Sequence, residues 1–141
     1  VGMPKGQEQL LPLLLYWHFL DAGNIQAAEI HIREAFKTVE AAGVRTFQAG
    51  PICFEMAMFA ARFLGDKELS DRALELGDRA PGQSDQRIGA EVAREYVWGE
   101  KSKAMTLAQG QLRKVESDLD EGPLLDHVRG WYERIVPELV E

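Results

Sequence analysis

Residues 52–64, ICFEMAMFAARFL, are apolar on nearly every side and carry only two charged side chains, Glu55 and Arg62. A helix that is apolar all round must be covered on several of its faces. The amphipathic segments before and after this stretch are available as covers. We therefore expect a buried central helix within a single all-α domain over residues 1–141.

The remainder of the chain also has helical periodicity, and no segment alternates between apolar and polar residues with a period of two. In the helix predicted after Asn24, for example, Ile25, Ala28 and Ile32 recur at spacings of three and four, which places them on one helix face. The pattern predicts three helix pairs and a last helix, at about residues 9–42, 51–79, 84–119 and 123–140.

A glycine followed by a polar residue marks the turn inside each predicted pair, at Gly23-Asn24, Gly65-Asp66 and Gly99-Glu100. The last two turns are 34 residues apart, which is the period of the tetratricopeptide repeat. In that family a small, a large and a small residue follow the turn by five, nine and twelve positions. These positions hold Ala28, Ile32 and Ala35 in the first pair, and Ser70, Leu74 and Gly77 in the second.

Over about residues 10–119 the chain resembles a degenerate tetratricopeptide-repeat domain. Ala108 and Gln111 depart from the pattern in the third pair, and Pro12 and Tyr16 replace the aromatic residue and glycine that usually begin a repeat. The resemblance implies three antiparallel helix pairs in a right-handed superhelix, closed by a C-terminal capping helix. An unrelated helical bundle is the alternative fold.

Charge and apolar content limit the partners. The chain has 16 basic and 23 acidic residues and a net charge of −7, which opposes binding to nucleic acid. Its longest apolar run, residues 10–20, is shorter than the ~20 residues that a membrane-spanning helix needs. Cys53 is the single cysteine, so an intrachain disulfide is excluded, and it is expected in the core. We expect a cytoplasmic domain.

Residues with catalytic or metal-binding chemistry are scattered along the chain. His18, His31 and His127 stand apart from one another, and none belongs to a metal-binding motif. Cys53 has no recognisable partner for nucleophilic catalysis. We therefore expect no metal and no cofactor, and a stand-alone enzyme is only the third functional hypothesis, behind the two below, in which this chain has no catalytic activity of its own.

The first functional hypothesis is a protein-interaction or scaffold module that binds a peptide or a partner domain. In the resembled family the first helix of each pair lines the concave side, where peptides bind. The resemblance places Trp17, Glu55, Phe59 and Arg62 there. Trp17 and Phe59 also suit core positions. Glu55 and Arg62, two helical turns apart, are expected to be exposed charges that contact a ligand, and the alternatives are solvation or pairing within the fold.

The second hypothesis is a regulatory or assembly domain of a larger enzyme, including a membrane-associated one such as a protease. The chain begins at Val1 rather than at a methionine, which predicts a fragment of a longer protein. The apolar segment at residues 10–20 would then pack against an upstream domain of the same polypeptide.

Overall fold

The computed structural model describes residues 10–82, 85–119 and 122–140, and for residues 119, 123 and 124 it describes the backbone only. The predicted helix starts at residues 9 and 84 lie outside these ranges. Within them the chain forms α-helices, one π-helical turn and one 3-10 turn, and no β-strand. The prediction of an all-helical protein is therefore confirmed for the described residues. The α-helices are α1 Leu10–Asp21, α2 Ile25–Ala42, α3 Ala49–Phe59, α4 Lys67–Arg79, α5 Gln86–Trp98, α6 Lys101–Leu119 and α7 Pro123–Ile135.

Helix α3 is the buried centre of the domain, as predicted. All its residues except Pro51 are buried, and it packs against α2, α4 and α5. The helix begins at Ala49, ahead of the predicted start, so that Pro51 lies in the first turn, where its missing N–H costs no hydrogen bond. After Phe59 the helix continues as a π-helical turn, Ala60–Leu64.

The predicted glycine turns end and restart the helices. Gly23 has a φ of 79°, a conformation that glycine adopts without steric cost. Asn24 then caps α2, because its side-chain oxygen accepts a hydrogen bond from the N–H of Ala27 at 3.1 Å. Gly65 and Asp66 repeat this arrangement before α4, with a φ of 63° and an Asp66 side-chain cap.

Helix α7 packs back against the first helix, α1. Helices that are adjacent in sequence pack as the pairs α1/α2, α3/α4 and α5/α6, while α7 contacts α6, α5 and also α1. Its side chains therefore reach the first helix of the domain as well as the third pair. This return of α7 encloses the site described next.

Candidate functional site

A buried carboxylate, Glu55 on α3, lies where α1, α3 and α7 meet. Its side chain is 2% exposed. The Oε2 atom accepts a hydrogen bond from the hydroxyl of Tyr16 at 2.7 Å and another from the indole N–H of Trp131 at 3.2 Å. A buried polar group is tolerated when it is hydrogen-bonded, and these two donors connect the first, central and last helices through one oxygen.

Burial raises the pKa of Glu55 from 4.5 to about 7. The Tyr16 and Trp131 hydrogen bonds oppose that shift, as does the neighbouring Trp17 side chain, whereas the charge of Asp21 adds to it. Burial and the Glu55 charge raise the pKa of Tyr16 well above its usual value, so its hydroxyl remains a donor. Glu55 therefore exchanges its proton near neutral pH, which is unusual for a glutamate.

A partly open cavity of about 350 Å³ adjoins Glu55. All three first helices of the pairs contribute to its wall, together with α6 and α7. Most of the wall is apolar or aromatic. The lining residues are Trp17, Glu55, Asp85, Gln86, Gln111, Val115, His127, Val128, Trp131 and Tyr132.

Polar contacts at the edge of the cavity hold α7 against the end of α1. The Nδ1 atom of His127 lies 2.8 Å from a carboxylate oxygen of Asp21. Arg134 contacts the same carboxylate at 3.5 Å and donates to the Asp21 main-chain carbonyl at 3.2 Å. The ring of Trp17 meets the His127 ring edge to face, with centroids 6.2 Å apart.

The indole of Trp131 reaches Glu55 because α5 has a glycine beneath it. A Cβ atom at Gly89 would lie 1.7 Å from the Cη2 atom of Trp131, far inside any permitted contact distance. Gly89, the fourth residue of α5, therefore has a packing role inside a helix, where glycine is otherwise unfavourable.

The structure brings together two of the four residues that the sequence analysis assigned to binding. Trp17 and Glu55 both line the cavity. Phe59 is 0% exposed and packs edge to face on Tyr16, with ring centroids 5.9 Å apart, so it is in the core. Partner binding by these residues remains a prediction.

Arg62 lies in the π-helical turn that follows α3 and makes contacts within the protein. Its Nε–H donates to the main-chain carbonyl of Ile135 at 2.8 Å, near the end of α7. Its guanidinium also lies 5.0 Å from the centroid of the Tyr96 ring. Glu55 is buried and Arg62 is half-buried, so the expectation that both are exposed charges is wrong, and the alternative of pairing within the fold agrees with the structure.

Other candidates for reactive chemistry are inert or dispersed. Burial, with a smaller contribution from the charge of Glu40, raises the pKa of the Cys53 thiol to about 12, so it remains protonated. The described residues contain no group of three His, Cys, Asp or Glu side chains placed to hold a metal ion. None of the helices in the described part of the chain is both long and apolar enough to cross a membrane.

Comparisons of the chain with protein-family models, with curated proteins and with solved structures found no match. The function is therefore inferred from the geometry and chemistry of the cavity itself. The relevant features are its aromatic wall, its volume and the ionisable carboxylate in that wall.

Proposed function

We propose that this domain is a protein-interaction module with no catalysis of its own, and that the cavity beside Glu55 binds one side chain of a peptide or partner protein. The observation that carries this proposal is the cavity of about 350 Å³ in which Trp17 and Glu55 meet. Ligand sites are typically concave, mainly apolar and provided with a few polar groups that orient the ligand. This cavity has each of those properties.

We also propose that the helix pairs form a right-handed tetratricopeptide-like superhelix that α7 caps. The small residues at matching positions of the three pairs, Ala28, Ser70 and Ala104, are fully buried, as close helix packing requires. At Gly77 a Cβ atom would lie 2.6 Å from the Phe54 ring, so that position also favours a residue without a side chain. In such an array the first helices of the pairs line one surface, which suits a cavity to whose wall α1, α3 and α5 all contribute beside α6 and α7.

Peptide selection tests this function. A random peptide library displayed on phage is selected on the immobilised full chain, and the affinity of the recovered peptides is measured for wild type and for Trp17→Ala. Because Trp17 supplies aromatic surface to the cavity, we expect Trp17→Ala to weaken binding by at least about tenfold, as aromatic anchors commonly do.

Trp98→Ala is the matched control, since Trp98 is an exposed tryptophan that does not line the cavity. It should bind the selected peptides as the wild type does. Thermal unfolding of both variants establishes that they are folded at the assay temperature. Failure to recover any specific peptide, or equal losses in the two variants, would exclude the cavity as a peptide site.

A regulatory or assembly domain of a larger enzyme, including a membrane-associated protease, is the second candidate. The observation that favours it is an exposed apolar pair on α1, Leu11 at 54% and Leu14 at 51% exposure. Residues three apart on a helix share a face, so this pair offers a contact for another domain. In that case replacing Leu11 and Leu14 by serine, rather than changing Trp17, would weaken association with that domain.

A further inference from the structure

We propose that the side chain bound in this cavity is a lysine, whose alkyl stem packs on the apolar wall and whose ammonium group pairs with the carboxylate of Glu55. This inference rests on the proposed function, because it names the kind of side chain that the same cavity would bind. A lysine side chain and a free alkylamine both carry an alkylammonium cation, so the test below includes both.

The wall of the cavity combines the two kinds of surface that a lysine side chain needs. Val115 and Val128 provide aliphatic surface, and lysine stems commonly pack against such surface while the charged end seeks polar partners. Trp17, Trp131 and Tyr132 are also in the wall. Ammonium groups are attracted to the faces of these rings at centroid distances up to about 6 Å.

The charges around the cavity favour a cation over an anion. The described part of its wall contains Glu55 and Asp85 but no lysine or arginine. The neighbouring Arg134 is engaged by Asp21 through both the carboxylate and the main-chain carbonyl. An anionic ligand would therefore meet like charge in a poorly solvated space, whereas a cation would neutralise a buried carboxylate.

The hydrogen bonds at Glu55 favour an ammonium group over a guanidinium group. Tyr16 and Trp131 both donate to the same oxygen, Oε2. Arginine pairs best with a carboxylate when it can use both oxygens in parallel. With Oε2 already accepting two hydrogen bonds, a single-point contact by an ammonium group suits this carboxylate better.

Binding of a lysine should depend on pH because only the ionised carboxylate attracts the cation. The pKa of Glu55 is raised to about 7 by burial, so affinity should rise about tenfold between pH 6 and pH 8, following the ionised fraction. The other titratable groups around Glu55 are Tyr16 and Asp21 on α1, Asp85 before α5, and His127, Tyr132 and Arg134 on α7.

The test compares peptides that differ in one side chain. The acetylated and amidated pentapeptide Ala-Ala-Lys-Ala-Ala, its norleucine and arginine counterparts, and butylamine are titrated into the 15N-labelled full chain at pH 6 and pH 8. The indole N–H signals of Trp17 and Trp131 report occupancy of the cavity. We expect the lysine peptide to bind about tenfold tighter at pH 8 than at pH 6, and the norleucine peptide to bind weakly at both.

Two variants assign the effect to Glu55. Glu55→Gln preserves shape and keeps an amide oxygen for Tyr16 and Trp131, and it should lose the pH-dependent gain for the lysine peptide. His127→Gln alters the cavity wall and therefore the absolute affinity, but the ratio of affinities at pH 8 and pH 6 should persist, which separates Glu55 from the histidine in the same wall. Circular dichroism verifies that both variants are folded.

Each alternative result has a defined meaning. Equal binding of the norleucine or arginine peptide at pH 8, or unchanged lysine binding in Glu55→Gln, would overturn the assignment of lysine. If the lysine assignment failed but library-selected peptides still bound through Trp17, the proposed interaction function would stand without a lysine ligand. Binding of butylamine but not of the peptide would support the cation and overturn its source in a peptide.

Discussion

Replacing Gly89 by alanine should destabilise the domain by about 3 kcal/mol, even though alanine is the better helix former, because overpacking of a core is costly. The added Cβ would lie 1.7 Å from the Trp131 indole. Trp131 would have to move, and the Glu55 carboxylate would lose a hydrogen-bond donor. Urea unfolding followed by circular dichroism measures the loss.

Gly110→Ala is the control for this substitution. Gly110 is also inside a helix, α6, but a Cβ atom there would meet no atom within 4 Å. The same chemical change should therefore stabilise the protein by roughly 0.5–1 kcal/mol, the usual advantage of alanine over glycine in a helix. Similar effects of the two substitutions would contradict the close packing of Trp131 on α5.

The second large effect concerns the pH dependence of stability through Glu55. Its pKa is raised to about 7 in the folded protein, so the folded state binds a proton more tightly than the unfolded chain does. Stability from this group is fully present below about pH 4.5 and is lost as the pH rises to about 7. The loss is on the order of 3 kcal/mol, since each pKa unit corresponds to about 1.4 kcal/mol.

Glu55→Gln isolates this contribution from those of the other carboxylates. The difference in unfolding free energy between variant and wild type should shift by about 2 to 3 kcal/mol in favour of the variant between pH 5 and pH 8. Urea unfolding at the two pH values measures it. An unchanged difference would mean that Glu55 titrates in the folded protein as it does in the unfolded chain.

These two expectations for Glu55 separate binding from folding. Glu55→Gln should be relatively more stable than the wild type at pH 8, and yet it should lose its preference for the lysine peptide. A purely structural carboxylate would not produce this combination, because loss of binding would then accompany loss of stability. A buried group that costs stability at neutral pH is typical of a functional position.

The sequence predicted the helices well because their periodicity is a local property. The buried central helix and the turns at Gly23 and Gly65 depend on residues within a few positions of one another. A helix that lies in the core is likewise recognisable from its apolar composition. Those features agree with the structure to within a few residues.

The candidate site was only half predictable, because it depends on contacts between distant parts of the chain. Periodicity shows that a helix face is apolar, but not which helix covers it. The contact of α7 with α1 joins residues more than a hundred positions apart, such as His127 and Asp21. The sequence therefore did not indicate that Trp131 contacts Glu55, and Glu55 was expected to be exposed. Gly89, a glycine inside a helix, is a local signal from which a close contact could have been inferred.

Glu55 is proposed to be an ionisable carboxyl group in the cavity wall that pairs with a bound lysine. Titration of this carboxyl group tests the proposal most directly. The measurement is a 13C NMR titration of the Glu55 side-chain carboxyl, assigned with Glu55→Gln, in the free protein and with saturating lysine peptide. We expect a midpoint near pH 7 in the free protein, where burial raises the pKa to about 7. With the lysine peptide the midpoint should fall, and with the norleucine peptide it should stay unchanged. A midpoint that the lysine peptide does not move would contradict the claim.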